Sequence, residues 1–145
     1  MILVTGGAGF IGANFVLDWL ASSDEPVINI DKLTYAGNLE TLSSLAEDNR
    51  HIFVHADIGD SAVVAELLSR YKPRAIINFA AESHVDRSIE NPFVFIETNV
   101  MGTANLLQAA REHWDNEKDG HLFYHVSTDE VYGALGETGF FTEET

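Results

Sequence analysis

The sequence predicts an α/β fold, a doubly wound parallel sheet with helices on both faces, and three observations carry that expectation. Short apolar runs alternate with helical patterns from one end to the other, with no repeat, low-complexity segment or linker between them. The first run passes through clustered glycines straight into a helical pattern, in the stretch Met-Ile-Leu-Val-Thr-Gly-Gly-Ala-Gly-Phe-Ile-Gly. Polar residues are densest just beyond the strand candidates, where such sheets hold their ligands.

Taken in order, Ile2-Leu3-Val4 places a buried strand at 1–5, Thr5 to Gly9 break it, and Phe10 to Leu20 open a helix over 10–21. Val27-Ile28-Asn29-Ile30 gives a strand at 26–31 that ends on Asp31, followed by a helix at 39–47 and a strand at 51–55. Asp60 or Ser61 can N-cap a helix over 60–71. The run from Arg74 to Phe79 places a strand at 74–80, and Asn91-Pro92 sets a cap before a first-turn proline for a helix at 92–114. A polar turn from Asp115 to Gly120 leads into a last strand at 121–127. Strict alternation of strand and helix implies right-handed crossovers.

Composition narrows the function. A chain of 145 residues that is 46% apolar suits one domain, 1–145, with a core of its own. It has no Cys, so disulfides and thiolate metal sites are out of reach and a reducing compartment is expected. Twenty-three acids against eight bases give a net charge of −15, which opposes nucleic acid and anionic membrane partners. No apolar run approaches the ~20 residues of a membrane helix, and no basic leader with a cleavage pattern stands at the start. The expectation is a soluble, cytoplasmic, acidic protein. His121 and His125 have the spacing of a helical zinc pair but fall on a strand, which sets them ~13 Å apart. They read as structural, and no metal is expected.

The N-terminal glycines make a phosphate cradle. A turn that exposes N–H groups, followed by a helix N-terminus, binds a pyrophosphate without Lys or Arg. In this reading Gly7 allows the sharp turn, Gly9 the approach of phosphate to backbone, and Gly12 close helix–strand packing. Gly6, Gly9 and Gly12 also give the spacing G-x-x-G-x-x-G after Thr5, which resembles the extended short-chain dehydrogenase/reductase superfamily. Asp31 stands about 20 residues further on, where a carboxylate can accept both ribose hydroxyls of NAD and repel the 2′-phosphate of NADP. The expected fold is thus of Rossmann type.

The remaining strand ends add candidates. Lys32 and Thr34 could donate to the adenosine ribose or its phosphate, or simply lie in a solvated loop. Asp57 could accept from the adenine amine while Ile58 packs on the ring, or the pair could be a helix-capping turn. Ala80-Ala81 would let a cofactor approach the backbone, and Glu82-Ser83-His84-Val85-Asp86-Arg87-Ser88 follows as a dense polar cluster. His84, Asp86 and Arg87 could equally form a satisfied network. Thr98-Asn99 should face the same sheet edge, with Asn99 bonding to backbone. Ser127-Thr128-Asp129-Glu130 sets two adjacent carboxylates after two hydroxyls, and acids held close and partly desolvated suit paired acid and base roles.

Together Thr-Gly-Gly-Ala-Gly-Phe-Ile-Gly, Asp-Lys-Leu-Thr-Tyr-Ala-Gly-Asn, Ala-Ala-Glu-Ser-His-Val-Asp-Arg-Ser and Ser-Thr-Asp-Glu-Val-Tyr-Gly resemble the dTDP-glucose 4,6-dehydratase family. They occur in that family's order over most of the chain. The resemblance implies NAD contacts at Phe10, Ile11, Asp31, Lys32, Leu33, Thr34, Asp57, Ile58, Phe79, Ala80, Ala81, Glu82, Ser83 and Thr98. It implies Glu130 as the base at C5, Asp129 as the acid for the departing C6 hydroxyl, Thr128 at the C4 oxygen, and Ser83 on the sugar or its phosphate. The nucleotide-sugar epimerases lack the Asp-Glu pair. The family's Tyr-x-x-x-Lys pair is missing here, since Leu39, Ala75, Thr128 and Gly136 stand four residues beyond the tyrosines. The resemblance therefore reads the chain as an incomplete, N-terminal NAD-binding half. That half would be inactive and marginally stable alone, cut before the Tyr-x-x-x-Lys segment and a C-terminal sugar-nucleotide domain, with a homodimer expected for the complete enzyme. The competing expectations are an NAD-binding module without turnover and another nucleotide-sugar dehydratase or epimerase.

Overall fold

In the computed structural model, which describes residues 1–114, 120–136 and 138–145, five parallel strands lie in the order β3-β2-β1-β4-β5. They are β1 (Ile2–Thr5), β2 (Val27–Asp31), β3 (His51–His55), β4 (Ala75–Asn78) and β5 (Leu122–His125). The order reverses at β1, which pairs with β2 on one side and β4 on the other.

Alternation along each strand sorts the core onto two faces. Ile2, Val4, Val27 and Ile77 pack with Ala13, Val16 and Leu20 of helix α1 (Phe10–Ser22). Leu3, Ile28, Ile30 and Ile76 pack on the opposite face with Val64, Leu67 and Leu68 of α2 (Ser61–Tyr71) and with Leu106, Ala109 and Ala110 further along the chain. Asp60 caps α2 as expected, its carboxylate accepting from the N–H groups of Ala62 and Val63 at 3.1 and 3.2 Å.

The elements depart from expectation in four places. Residues 39–47 form a 3₁₀ helix over Leu39–Leu45, capped by Asn38, whose side chain accepts from the Glu40 N–H. The polar stretch after β4 contains a short helix, α3 (Val85–Glu90). The long helix at 92–114 is three joined pieces: α4 (Pro92–Phe95), a wide π turn (Ile96–Gly102) and α5 (Thr103–Trp114). Pro92 does sit in the first turn, but the Asn91 side chain makes no capping bond. The π turn has local partners, since Asn99 bonds to the backbone of Glu82, and a Cβ on Gly102 would meet the Ile58 side chain at 2.7 Å. Finally, Asp129–Tyr132 close a 3₁₀ turn after β5. The expected turn from Asp115 falls on 115–119, outside the described residues. Among the described residues no helix is long and apolar enough to cross a membrane.

One ionic cluster ties the strand starts together. Glu25 accepts from Arg74 Nε and Nη2 at 2.8 and 2.7 Å and from the Met1 amino group at 2.6 Å. It thereby joins the segments that open β1, β2 and β4. The Arg74 guanidinium, above all, holds the Glu25 carboxyl down at about 2, against an ordinary 4.5. A depressed carboxyl stabilises the fold above its unfolded value, and that stability is lost as pH falls toward the folded one. Glu25→Gln should therefore lower the unfolding midpoint at pH 7. It should also flatten the loss of stability between about pH 4.5 and pH 2, read by urea unfolding at stepped pH. Parallel pH profiles for the two proteins would contradict the assignment.

Candidate functional site

The glycine stretch is shaped by what stands behind it. Gly6 has φ +67, and a Cβ there would lie 2.7 Å from the Ala80 N. A Cβ on Gly7 would strike the Asn29 side chain at 2.1 Å, and one on Gly12 would strike the Gly6 carbonyl oxygen at 2.2 Å. The sharp turn thus belongs to Gly6 and not to Gly7, which is small because Asn29 fills its space. Gly12 packs the helix onto the glycine loop and not onto the strand, where close packing was expected. A Cβ on Gly9 would meet only the Gly6 oxygen, at 3.3 Å, so its outer side stays open to a ligand. No side chain caps α1, which leaves its first-turn N–H groups for that ligand.

Asp31 is 9% exposed and braces the loop from β2. Its Oδ2 accepts from the Ala8 N–H at 2.9 Å and its Oδ1 from the Leu33 N–H at 2.8 Å. A carboxylate offers about four acceptor positions, so two remain for ribose hydroxyls. Beside it Lys32 Nζ pairs with Asp57 Oδ2 at 2.5 Å, while Asp57 Oδ1 accepts from the Gly59 N–H at 2.8 Å. Burial pushes the Asp57 carboxyl up, but Lys32 and the Gly59 N–H outweigh it and hold the group below its ordinary value. Lys32 is raised, chiefly by its hydrogen bond to Asp57. Lys32 and Asp57, read from the sequence as a donor to the ribose or phosphate and an acceptor from adenine, are therefore each other's partner.

A groove opens at the carboxyl ends of the strands, between β1, β2 and β4. Its walls bring together Gly6, Gly9, Asp31, Lys32, Thr34, Asp57, Ile58, Phe79, Ala80, Ala81, Glu82 and Thr98. Phe10 and Ile11 stand exposed at the start of α1 and do not line it. Leu33 packs toward the core instead. Ala36 and Gly37 line the groove without having been anticipated; the bond from the Gly37 N–H to the Thr34 carbonyl, at 3.1 Å, turns them inward.

A second cavity of about 460 Å3 adjoins the groove and shares Ala80, Ala81 and Glu82 with it. Ser83, Thr128 and Glu130 line this cavity, with Ser127, His125, Asn99 and Thr103. Asn99 holds the shared wall from two sides: its Oδ1 accepts from the Glu82 N–H and its Nδ2 donates to the Glu82 carbonyl, each at 2.8 Å. Thr128 caps the turn that carries the acids, accepting from the Glu130 N–H at 3.2 Å. Asp129 and Glu130 are both exposed, and Asp129 lies outside the cavity lining. The expected partial desolvation of the pair is not supplied by the described residues.

The polar cluster after Ser83 forms an aromatic clip in place of a hydrogen-bond network. The Arg87 guanidinium lies 3.9 Å from the Tyr35 ring centre, and the His84 ring meets Tyr35 edge-on at 6.3 Å. Among the described residues there is no cluster of three or more potential metal ligands.

A family model described as GDP-mannose 4,6 dehydratase matches residues 3–145. The chain is 61% identical over 147 residues to a dTDP-glucose 4,6-dehydratase of Xanthomonas campestris pv. campestris (strain B100), covering 99% of this chain and 42% of that protein. It is 54% identical over 138 residues to a dTDP-glucose 4,6-dehydratase of Salmonella typhimurium (strain LT2), covering 92% and 38%. A crystal structure of a DesIV double mutant, a dTDP-glucose 4,6-dehydratase of Streptomyces venezuelae with NAD bound, superposes with a TM-score of 0.88 at 47% identity, covering 99% of this chain and 44% of that one. A UDP-glucose 4-epimerase of Thermotoga maritima gives a TM-score of 0.78 at 30% identity, over 94% and 41%. The chain thus spans about two fifths of the length of the relatives it matches.

The two glycines crowded by backbone, Gly6 and Gly12, and the open one, Gly9, should separate in experiment. Gly6→Ala and Gly12→Ala should each destabilise by about 1–3 kcal/mol, because backbone atoms must move to admit the methyl. Gly9→Ala should leave the unfolding midpoint nearly unchanged. Thermal unfolding of the three variants checks this ranking, and a Gly6→Ala midpoint equal to that of the parent would contradict it.

Proposed function

Because the chain belongs to the family described as GDP-mannose 4,6 dehydratase, we propose that it binds NAD in the groove and serves the dehydration of dTDP-glucose to dTDP-4-keto-6-deoxyglucose. The observation that carries this reading is the junction at Ala80-Ala81-Glu82. There a groove fit for a dinucleotide meets a cavity walled by Ser83, Thr128 and Glu130. The groove suits NAD on its own chemistry. It has an uncapped helix start, an open Gly9 and a braced carboxylate at Asp31.

Bound there, NAD would supply reversible hydride acceptance. The residues of the chain serve every other step but one: the proton of the C4 hydroxyl goes to a base outside these 145 residues, because no Tyr-x-x-x-Lys pair stands among them. Gly9 and the start of α1 receive the pyrophosphate, Asp31 accepts from the ribose hydroxyls, and Ile58 covers the adenine. Thr128 donates to the C4 oxygen of the sugar. A C4 ketone acidifies the C5 proton, which Glu130 removes. Asp129 protonates the C6 hydroxyl, which departs as water, and Ser83 holds the sugar or its phosphate. Elimination across two adjacent carbons needs one base and one acid, and neighbouring side chains beyond one strand can provide both.

A second reading, an NAD-binding module without turnover, is kept open by the exposure of Asp129 and Glu130. Mass spectrometry of dTDP-glucose incubated with NAD and either the 145-residue chain or the full-length gene product, beside the Xanthomonas relative as a control, separates the two. Loss of one water with the longer protein supports the dehydratase, whereas NAD binding with an unchanged sugar nucleotide in both supports the module. In a protein that turns over, Glu130→Gln should abolish exchange of the C5 proton with deuterium from solvent, and undiminished exchange would remove Glu130 as the base. Asp31→Ala should weaken NAD about tenfold or more and narrow the preference over NADP. Calorimetric titration with each dinucleotide checks this, and an unaltered preference would count against Asp31.

A further inference from the structure

Three polar residues stand in one row across the sheet. Thr5 of β1 is in register with Asn78 of β4, and Asn78 with His125 of β5. Thr5 and Asn78 are fully buried, at 0% exposure. His125 is exposed and lines the second cavity. The row is bonded throughout: Thr5 Oγ1 to Asn78 Oδ1, and Asn78 Nδ2 to His125 Nδ1 at 3.0 Å and to Thr103 Oγ1 at 3.5 Å.

The direction of each bond follows from the one group in the row that can only donate. The Ala80 N–H lies 3.2 Å from Thr5 Oγ1. The hydroxyl oxygen accepts there, so its proton goes to Asn78 Oδ1. An amide turned the other way would aim a second N–H at the same oxygen and leave the buried Thr5 proton without an acceptor. The amide is therefore fixed with Nδ2 toward His125. Nδ1 must then receive, which places the imidazole proton on Nε2.

We infer that His125 is a further binding residue of the second cavity. The Ala80–Thr5–Asn78 row holds it as the neutral Nε2–H tautomer, so that it donates to an oxygen of the bound nucleotide sugar. The identity of that ligand rests on the proposed function; the tautomer rests on the row alone. The role differs from those of its neighbours. The hydroxyls of Ser83 and Thr128 rotate to donate or accept, and an ionised Glu130 can only accept. A fixed imidazole donor at the end of a buried row gives the cavity one direction in which a sugar or phosphate oxygen must point.

The tautomer is read first, in the ligand-free chain, from long-range proton–nitrogen spectra of protein labelled with 15N-histidine. The expected result for His125 is a bare Nδ1 and a protonated Nε2. A proton on Nδ1 in the parent protein would overturn the assignment. Asn78→Asp, which can only accept at that position, should add a proton to Nδ1, and an unaltered spectrum in that variant would argue against the row. The binding role is read from the dissociation constant of dTDP-glucose in saturating NAD, with parent and variants made as the full-length gene product so that any C-terminal sugar-nucleotide domain is present. His125 is exposed, so its replacement empties no core. His125→Phe should weaken binding about tenfold, while His125→Gln, whose amide carries an N–H near the place of Nε2, should return to within about threefold of the parent. Equal affinity in all three proteins overturns the role and leaves the proposed function standing. Equal weakening in both variants marks a purely structural histidine and also overturns it. A parent chain that binds NAD but not dTDP-glucose overturns the substrate together with the role.

Discussion

The constraint on which the rest of the site depends is the close approach of one loop to the two strands that flank β1. Between Thr5 and Gly12 the backbone presses on Ala80 beyond β4, on Asn29 of β2 and on itself, with no room for a Cβ at Gly6, Gly7 or Gly12. Packing so close leaves backbone polar groups to be satisfied, and the structure does this with buried side chains. Asp31 receives the Ala8 N–H and Thr5 receives the Ala80 N–H. The loop is therefore clamped from both neighbours of β1, and the start of α1 can aim at one place only.

That place is set by topology. Because β1 has β2 on one side and β4 on the other, the connections from these strands leave toward opposite faces, and a crevice opens between them. The loop after β2 forms one wall and the segment after β4 the other. The Arg87–Tyr35 contact then links the walls. The π turn in the long helix belongs to the same arrangement. It coincides with Asn99, whose amide grips both backbone groups of Glu82 and so fixes the segment that groove and cavity share.

Much of this was legible in the residues, because apolar alternation and glycine spacing are local signals. All five strand regions and the cradle residues follow from them. What was not legible depends on partners brought from afar. Spacing alone assigns the sharp turn to Gly7, since nothing in the order of residues says which glycine meets Ala80 and which meets Asn29. Lys32 and Asp57 each look free until β2 and β3 lie side by side. His125 reads as structural until the register of three strands sets it at the end of a polar row. The π turn is a tertiary outcome as well, written in the contacts of Asn99 with Glu82 and of Gly102 with Ile58 and not in helix propensity.

The acidity of the chain sharpens the question of how it could receive an anion. A net charge of −15 repels a diphosphate at a distance. Near the groove the one cation of the β2 loop, Lys32, is already neutralised by Asp57. Attraction must therefore come from backbone dipoles, which act at contact and need no net charge. Screening lets the two effects coexist, because at physiological salt a field from distant carboxylates fades over about 8 Å, whereas N–H groups bond at about 3 Å. The global charge then bears on how often an anion arrives, and the glycine loop on how long it stays. Asp31 fits this division. A carboxylate whose oxygens already hold two N–H groups adds little repulsion toward hydroxyls that can donate to it, yet it stands against any second phosphate placed beside the ribose.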